Sequence, residues 1–157
     1  MSQWKMVHNA VNDIARGNAA NWVNLVNTVA EAYNTALMYG GTFNANVVTV
    51  ADFVNMGVSL HNANFYTRKA LTGVAFTSAG FFGKPFMDCD DVNIVVSGGT
   101  CDANFVAIFQ NYPGSTDSDR NVVLIGDLGA QSIASGTNLV LQMSATNGIL
   151  QADDPNT

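Results

Sequence analysis

Four aspartates gather in one stretch of the chain, Asp88, Asp90, Asp91 and Asp102, interleaved with both cysteines, Cys89 and Cys101. Clustered carboxylates can hold calcium, which takes about six to eight oxygens from a tight loop, most recognisably as Asp-x-Asp-x-Asp with a nearby glycine. The spacing here is different, and strand-forming residues begin at once with Val92. Alternation along such a strand sends Asp90 and Asp91 to opposite faces. The cluster therefore reads as the solvated start of a strand. Paired carboxylates can also hydrolyse glycosides, but those sites come with clustered aromatics and an enclosing cleft, and the sequence shows neither pattern. Zinc needs about four ligands, and only His8 and His61, both distant, could join the cysteines. Serine, histidine and aspartate occur without a G-x-S-x-G elbow, and both glycine-rich phosphate loops are missing; Gly83-Lys84-Pro85 is a turn. No catalytic residue, cofactor or metal site is expected, and the chain reads as a non-enzyme.

Residues suited to holding a partner are easier to find. The loop Tyr112–Arg120, YPGSTDSDR, is the most polar piece of the chain, with Pro113-Gly114 and the hydroxyls of Ser115, Thr116 and Ser118. It joins two buried strands, so its ends are fixed while its tip is free, and binding functions often sit on such loops. A plain connection is the alternative. Phe81, Phe82 and Phe86 are either core or an exposed patch for a partner. The candidate partner-binding residues are Trp4, Val7 and Val11 near the N-terminus and Pro113 and Asp117 in the loop.

The elements that position these residues follow from periodicity. Trp4, Val7, Val11 and Ile14 are spaced as on one helix face, predicting a helix over Ser2–Arg16 that Ser2 caps and Gly17 ends. It either packs on its own domain or serves as an arm that docks on a neighbouring subunit. A second helix is predicted from Asn18 or Ala19 to Tyr33, with Trp22, Leu25, Val26, Val29 and Tyr33 as its apolar stripe. Thr35–Tyr39 reads as a strand, and Thr49–Met56 as a short third helix with Thr49 and Asp52 in a weak capping box. Beyond Val58 short apolar runs alternate with glycine, asparagine and serine. Val92–Val96 and Phe105–Phe109 flank Ser97-Gly98-Gly99-Thr100 and read as a central β-hairpin turning at the glycines. In that hairpin Cys101 faces Val96 and Cys89 faces Ile108, leaving two free, mostly buried thiols. Val122–Leu128 and Asn138–Ser144 are further strands, with Gly129–Gly136 a turn region between them. The expected fold is α+β, mainly β: an antiparallel β-sandwich with two or three N-terminal helices. One domain spans 1–157, divided into a possible arm (1–17), a helical part (18–57) and a β part (58–150).

Composition narrows the role. Charged residues make up 11% of the chain, against about 25% in ordinary domains, while asparagine occurs 19 times. A neutral, hydrated surface carries little charge to hinder packing against neighbours, which suits a subunit of a large assembly. The net charge of −6, with six lysines and arginines in all, argues against nucleic-acid binding through phosphates. No apolar run is long enough for a membrane span. The N-terminus makes a poor signal peptide, so the cytoplasm of the producing cell is the expected place of synthesis.

The second half also resembles a family of small proteins encoded in the structural gene modules of tailed bacteriophages. The resemblance is carried by an ADDV-like segment, Cys89-Asp90-Asp91-Val92, then a strand Val106-Ala107-Ile108-Phe109. A polar loop with Thr116-Asp117-Ser118 follows, then Leu124-Ile125-Gly126-Asp127-Leu128 and a late Asn147-Gly148-Ile149-Leu150. It covers Tyr66 to Leu150 and extends weakly to Thr35–Met56, whereas the N-terminal helical portion departs from the pattern. The resemblance implies a non-enzymatic virion component, of the head decoration or tail-associated kind. The first expectation is a capsid decoration (cement) protein, a trimer bound to the major capsid protein at local symmetry axes of the head. The alternative is a tail or neck component, such as a fibre-attachment or receptor-binding module.

Overall fold

Peptide groups along an apolar strand must find partners on neighbouring strands, and the longest apolar stretch of this chain finds them on both sides. In the computed structural model, which describes residues 3–16, 19–40, 44, 46–55, 59–60, 65–76, 85–143 and 150–151, that stretch is β7 (Cys101–Gln110). Val106 to Gln110 are buried without interruption, as a strand covered on both faces requires. It pairs antiparallel with β2 (Tyr33–Tyr39) on one side and β8 (Val122–Ile133) on the other. With β1 (Gln3–Met6) beside β8 and β3 (Ser59–Leu60) beside β2, these make a five-stranded antiparallel sheet in the order β1-β8-β7-β2-β3. β4 (Ala75–Phe76), β5 (Pro85–Asp88) and β10 (Leu150–Gln151) form a second sheet, and β6 (Val92–Val95) with β9 (Asn138–Leu141) a third. Three short helices, α1 (His8–Ala15), α2 (Ala19–Thr28) and α3 (Asp52–Asn55), complete the described elements. The chain is α+β and mainly β, with antiparallel sheets throughout. The strand pairings define these three sheets and do not by themselves establish two facing layers.

The central hairpin does not form. β6 pairs with β9, not with β7, and the register explains why. From Val95↔Asn138 to Cys101↔Ile133 the chain advances six residues on one side and five on the other. One long two-stranded ladder therefore runs through both sheets and is broken at 96–100 on one strand and 134–137 on the other. The glycines mark a corner where a strand passes from one sheet to the next, a use of irregular backbone that serves the same break as a turn. Gly98 takes φ +87° and Gly136 φ +85°, conformations open to glycine. Cys101 accordingly lies opposite Ile133, not Val96. The expected turn region 129–136 shrinks as well, because β8 continues to Ile133.

The N-terminal helix is also corrected. Trp4 lies on β1 opposite Gly126, and the helix begins only at His8. β8 would otherwise expose its outer row of peptide groups, and Gln3–Met6 satisfies them. Val7 then ends the pairing with its N–H donated to the Val123 carbonyl at 3.3 Å. The segment is thus strand and helix built into the main sheet, not a detached arm. The expected caps Ser2 and Gly17 lie outside the described residues.

α2 stops earlier than predicted. Glu31 adopts φ +56°, a left-handed step typical just past a helix end, and Tyr33 starts β2 instead of closing the helix stripe. Trp22 and Leu25 are buried as the stripe requires. At α3, Asp52 accepts the Thr49 and Val48 N–H groups at 2.7 and 3.1 Å, the reciprocal half of the capping box, and Val50 and Phe53 are buried. Buried residues from α1, α2, β2, β6, β7, β8 and β9 belong to one apolar cluster. Phe81, Phe82, the turn at Asn147-Gly148 and the C-terminal tail lie outside the described residues.

Candidate functional site

Arg68 stands beside Lys69 in the stretch 65–76, and 49 residues later Asp117 answers it. The carboxylate accepts from Arg68 Nη1 at 2.7 Å and from Nη2 at 3.0 Å, a two-pronged pair. Its Oδ1 also accepts from Arg120 Nη1 at 3.0 Å. Both guanidinium groups lie over the ring of buried Phe109, with their carbons 5.5 and 5.7 Å from its centre. That distance suits attraction between a cation and an aromatic face. Hydrogen bonds from Arg68 hold the Asp117 carboxyl below its ordinary range, and the same bonds raise the Arg68 guanidinium.

The backbone of the loop is tied down too. Ala51 N–H donates to the Asp117 carbonyl and Val50 N–H to the Arg120 carbonyl, both at 3.0 Å. Val122 N–H donates to Val48 at 2.9 Å. At its start, Tyr112 N–H meets Ser115 Oγ at 3.2 Å, and Ser115 Oγ donates back to the Tyr112 carbonyl. Asp119 accepts from Thr116 N–H and Oγ1, which holds its carboxyl low. The loop Tyr112–Arg120 does join two adjacent buried strands. It is a fixed surface feature in which Asp117 and Arg120 face each other and Asp119 binds Thr116.

Beside it lies a polar cleft of about 210 Å³. It is lined chiefly by Asn9 and Asp13 of α1, Asn21 of α2, Gln110 at the end of β7, and Tyr112 and Asn121 of the connection. A hydrogen-bonded chain links its lining residues through buried Tyr33. Tyr112 Oη donates to Gln110 Oε1 at 3.1 Å, Gln110 Nε2 to Tyr33 Oη at 3.4 Å, and Tyr33 Oη to the Trp22 carbonyl at 3.3 Å. Trp22 Nε1 donates to Asp13 Oδ2 at 2.7 Å. Burial raises the Tyr33 hydroxyl well above its usual range, so it stays protonated and donates. A cleft of this size has room for water or for one small polar group.

The sequence-predicted residues divide between these places. Val7 is fully buried and so cannot touch a partner, because its side chain serves the core. Trp4 sits on the sheet as described above. Val11 is exposed on α1, and Pro113 is exposed at the loop tip. Asp117 is engaged by two arginines. The fold nonetheless brings α1 and the polar loop together across the cleft. Periodicity did not reveal Asn9, Asp13, Gln110 or Asn121 as its lining, since they are scattered over more than a hundred residues; the asparagine-rich side of α2 was the one visible hint.

Both cysteines are free and buried. Burial, with Asp88 nearby, pushes the Cys89 thiol up to about 12, and burial also raises Cys101. Among the described residues no group of three or more histidine, cysteine, aspartate or glutamate side chains could hold a metal ion. No helix among them is long and apolar enough to cross a membrane. Compared with protein-family models, curated proteins and solved structures, the chain matches none.

Proposed function

We propose that this chain is a non-enzymatic structural subunit of a tailed-bacteriophage virion, a decoration protein that binds the outside of the assembled head through the major capsid protein. The observation that supports it best is how little charge the surface offers. Asp117 is paired with both Arg68 and Arg120, while Val11, Val23, Val48, Val95, Val140 and Tyr112 stand exposed. With charged residues only 11% of the chain, few charges need be desolvated when such a surface packs against neighbours. The mechanism is mechanical. Each copy adds buried area across joints between capsid subunits, and many weak contacts sum by multivalency. Assembly takes place in the host cytoplasm and the product resides in the virion.

A second reading, a receptor-binding component of the tail, is favoured by the polar cleft between α1 and the loop. Co-sedimentation of the purified protein with expanded capsid shells that lack it separates the two. Saturable binding at a fixed ratio to the major capsid protein supports decoration, and that ratio gives the symmetry of the site. No binding, with the protein recovered in the tail fraction of particles, refutes it.

A further inference from the structure

The free edges of the sheets are protected to different degrees. β3, β4 and β10 are two residues long, and β1 carries Lys5. The outer side of β6 is met by the bridge Tyr66↔Val96 and by Ser97 N–H donating to the Phe65 carbonyl at 2.7 Å. The far half of β8 is interrupted by a register shift opposite Ala103–Phe105 and by Gly129 at φ +66°. β9, Asn-Leu-Val-Leu, has no such device: no charge, no proline and, among the described residues, no strand on its outer side. Its partner strand β6, Val-Asn-Ile-Val, is equally uncharged. Proteins ordinarily blunt an edge of this kind, because its unpaired peptide groups are a template for another strand.

The direction of those peptide groups follows from observed bonds. Val96 N–H donates to the Thr137 carbonyl at 3.1 Å, and Met143 N–H reaches Asp91 Oδ1 at 2.7 Å, both on the β6 side. Peptide groups alternate along an antiparallel strand. The Thr137 carbonyl and the peptide groups of 139, 141 and 143 therefore face β6, and those of Asn138, Val140 and Gln142 face outward.

We propose that this outer edge pairs antiparallel with the same edge of a second copy of the chain, about a two-fold axis through Val140. The two ribbons then form one four-stranded sheet with the two β9 strands at its centre. A two-fold perpendicular to the sheet places each outward peptide group against another outward one. Val140 meets its own counterpart as a hydrogen-bonded pair, and Asn138 meets Gln142. No like charges oppose. The side chains of Val95 and Val140, each more than half exposed and on one face of the ribbon, line up diagonally across the joint. A foreign strand would need charge or a groove to select it, and the ribbon has no charged residue; symmetry alone supplies a matching edge. The contact is two-fold, distinct from the expected three-fold association, and does not depend on the virion reading.

The test uses the full chain with Val140→Cys. Cα atoms of a hydrogen-bonded pair lie about 5.5 Å apart, inside the disulfide range of about 4.4–6.8 Å. Val95→Cys is the control, because its counterpart would lie about 20 Å away, three strand spacings across and four residues along. Under mild oxidation Val140→Cys should form covalent dimers at least about tenfold faster than the control. Adding Gln142→Pro, which removes one outward N–H, should suppress this. Wild-type protein should show a concentration-dependent dimer by sedimentation that Val140→Lys abolishes while leaving the circular dichroism unchanged. Equal cross-linking of the two cysteine variants, persistence of the wild-type dimer in Val140→Lys, or a wild-type monomer at all concentrations overturns the proposal.

Discussion

Removing the Asp117 carboxylate should loosen the loop it holds, and Asp117→Ala is the direct perturbation. Three charge-assisted hydrogen bonds of 2.7, 3.0 and 3.0 Å are lost together. A hydrogen bond to a charged group contributes about 1.5–3 kcal/mol when buried, whereas an exposed ion pair contributes about 0–1 kcal/mol. The side chains of Arg68, Asp117 and Arg120 are 27, 35 and 25% exposed, so the cluster falls between these limits. At about 1 kcal/mol per bond, with some recovered when the arginines turn to water, the loss is about 2–3 kcal/mol. For a chain of this size that is a fall in Tm of about 5–10 °C. Urea denaturation should show a lower midpoint with an unchanged slope. A double-mutant cycle with Arg68→Met should give a coupling of about 1–2 kcal/mol that shrinks in high salt. A loss below about 0.5 kcal/mol, the scale of an ordinary surface substitution, would refute the claim that this carboxylate pins the loop.

Acid should act through the same group. Folding lowers the Asp117 carboxyl through its bonds to Arg68, and that of Asp52 through the Thr49 N–H. Their stabilisation is present above the unfolded value of about 3.9 and is lost as pH falls through the lower folded values. The denaturation midpoint should therefore drop below about pH 4, and Asp117→Ala should drop less steeply; parallel pH profiles would contradict this. At the sheet corner, a Cβ on Gly99 would run into the Phe65 ring, while one on Gly136 meets open space at φ +85°. Gly99→Ala should cost about 1–3 kcal/mol by overpacking, and Gly136→Ala about 1 kcal/mol from backbone strain. Equal costs by urea denaturation would mean the corner is not tightly packed. Cys89 and Cys101 are buried with raised thiols. Both should resist a thiol reagent at pH 8 until urea unfolds the chain, and rapid native labelling would show the core to be open.

Residues that speak through local pattern were legible. The strands at Thr35–Tyr39, Val122–Leu128 and Asn138–Leu141, the Trp22–Leu25 stripe and the Thr49–Asp52 cap all follow from spacing within a few residues. Long-range pairing was not. A glycine break between two apolar runs looks the same whether the chain turns back or crosses to another sheet. One signal does separate them. Val92–Val95 alternates, with Asn93 and Val95 exposed, whereas Val106–Gln110 is buried throughout. Strands so differently covered occupy different places in the sheets, and adjacency in sequence does not make them partners. At the N-terminus, helical spacing of Trp4, Val7 and Val11 was overridden because the edge of β8 required a strand. Tertiary demand outweighed a weak local preference.

The same distinction governs the candidate site. Asp117 and Pro113 belong to one polar loop, yet they differ entirely in what they can do for a partner, and only partners far away in sequence separate them. Arg68 takes the Asp117 carboxylate from a distance no motif covers, while Pro113 remains at the exposed tip. The Asp117 carboxylate, which looks available in the sequence, is thereby engaged within the fold, while sets of neutral groups stay open to recognition. Two such sets stand out in the structure: the amides around the cleft between α1 and the loop, and the outward peptide groups of β9. They differ in how salt should affect them. Backbone pairing along an uncharged edge carries no screened Coulomb term, so association through β9 should persist in 1 M salt, where the Debye length is about 3 Å. Weakening of the Val140-dependent dimer in high salt would point instead to a contact made by the remaining charged surface.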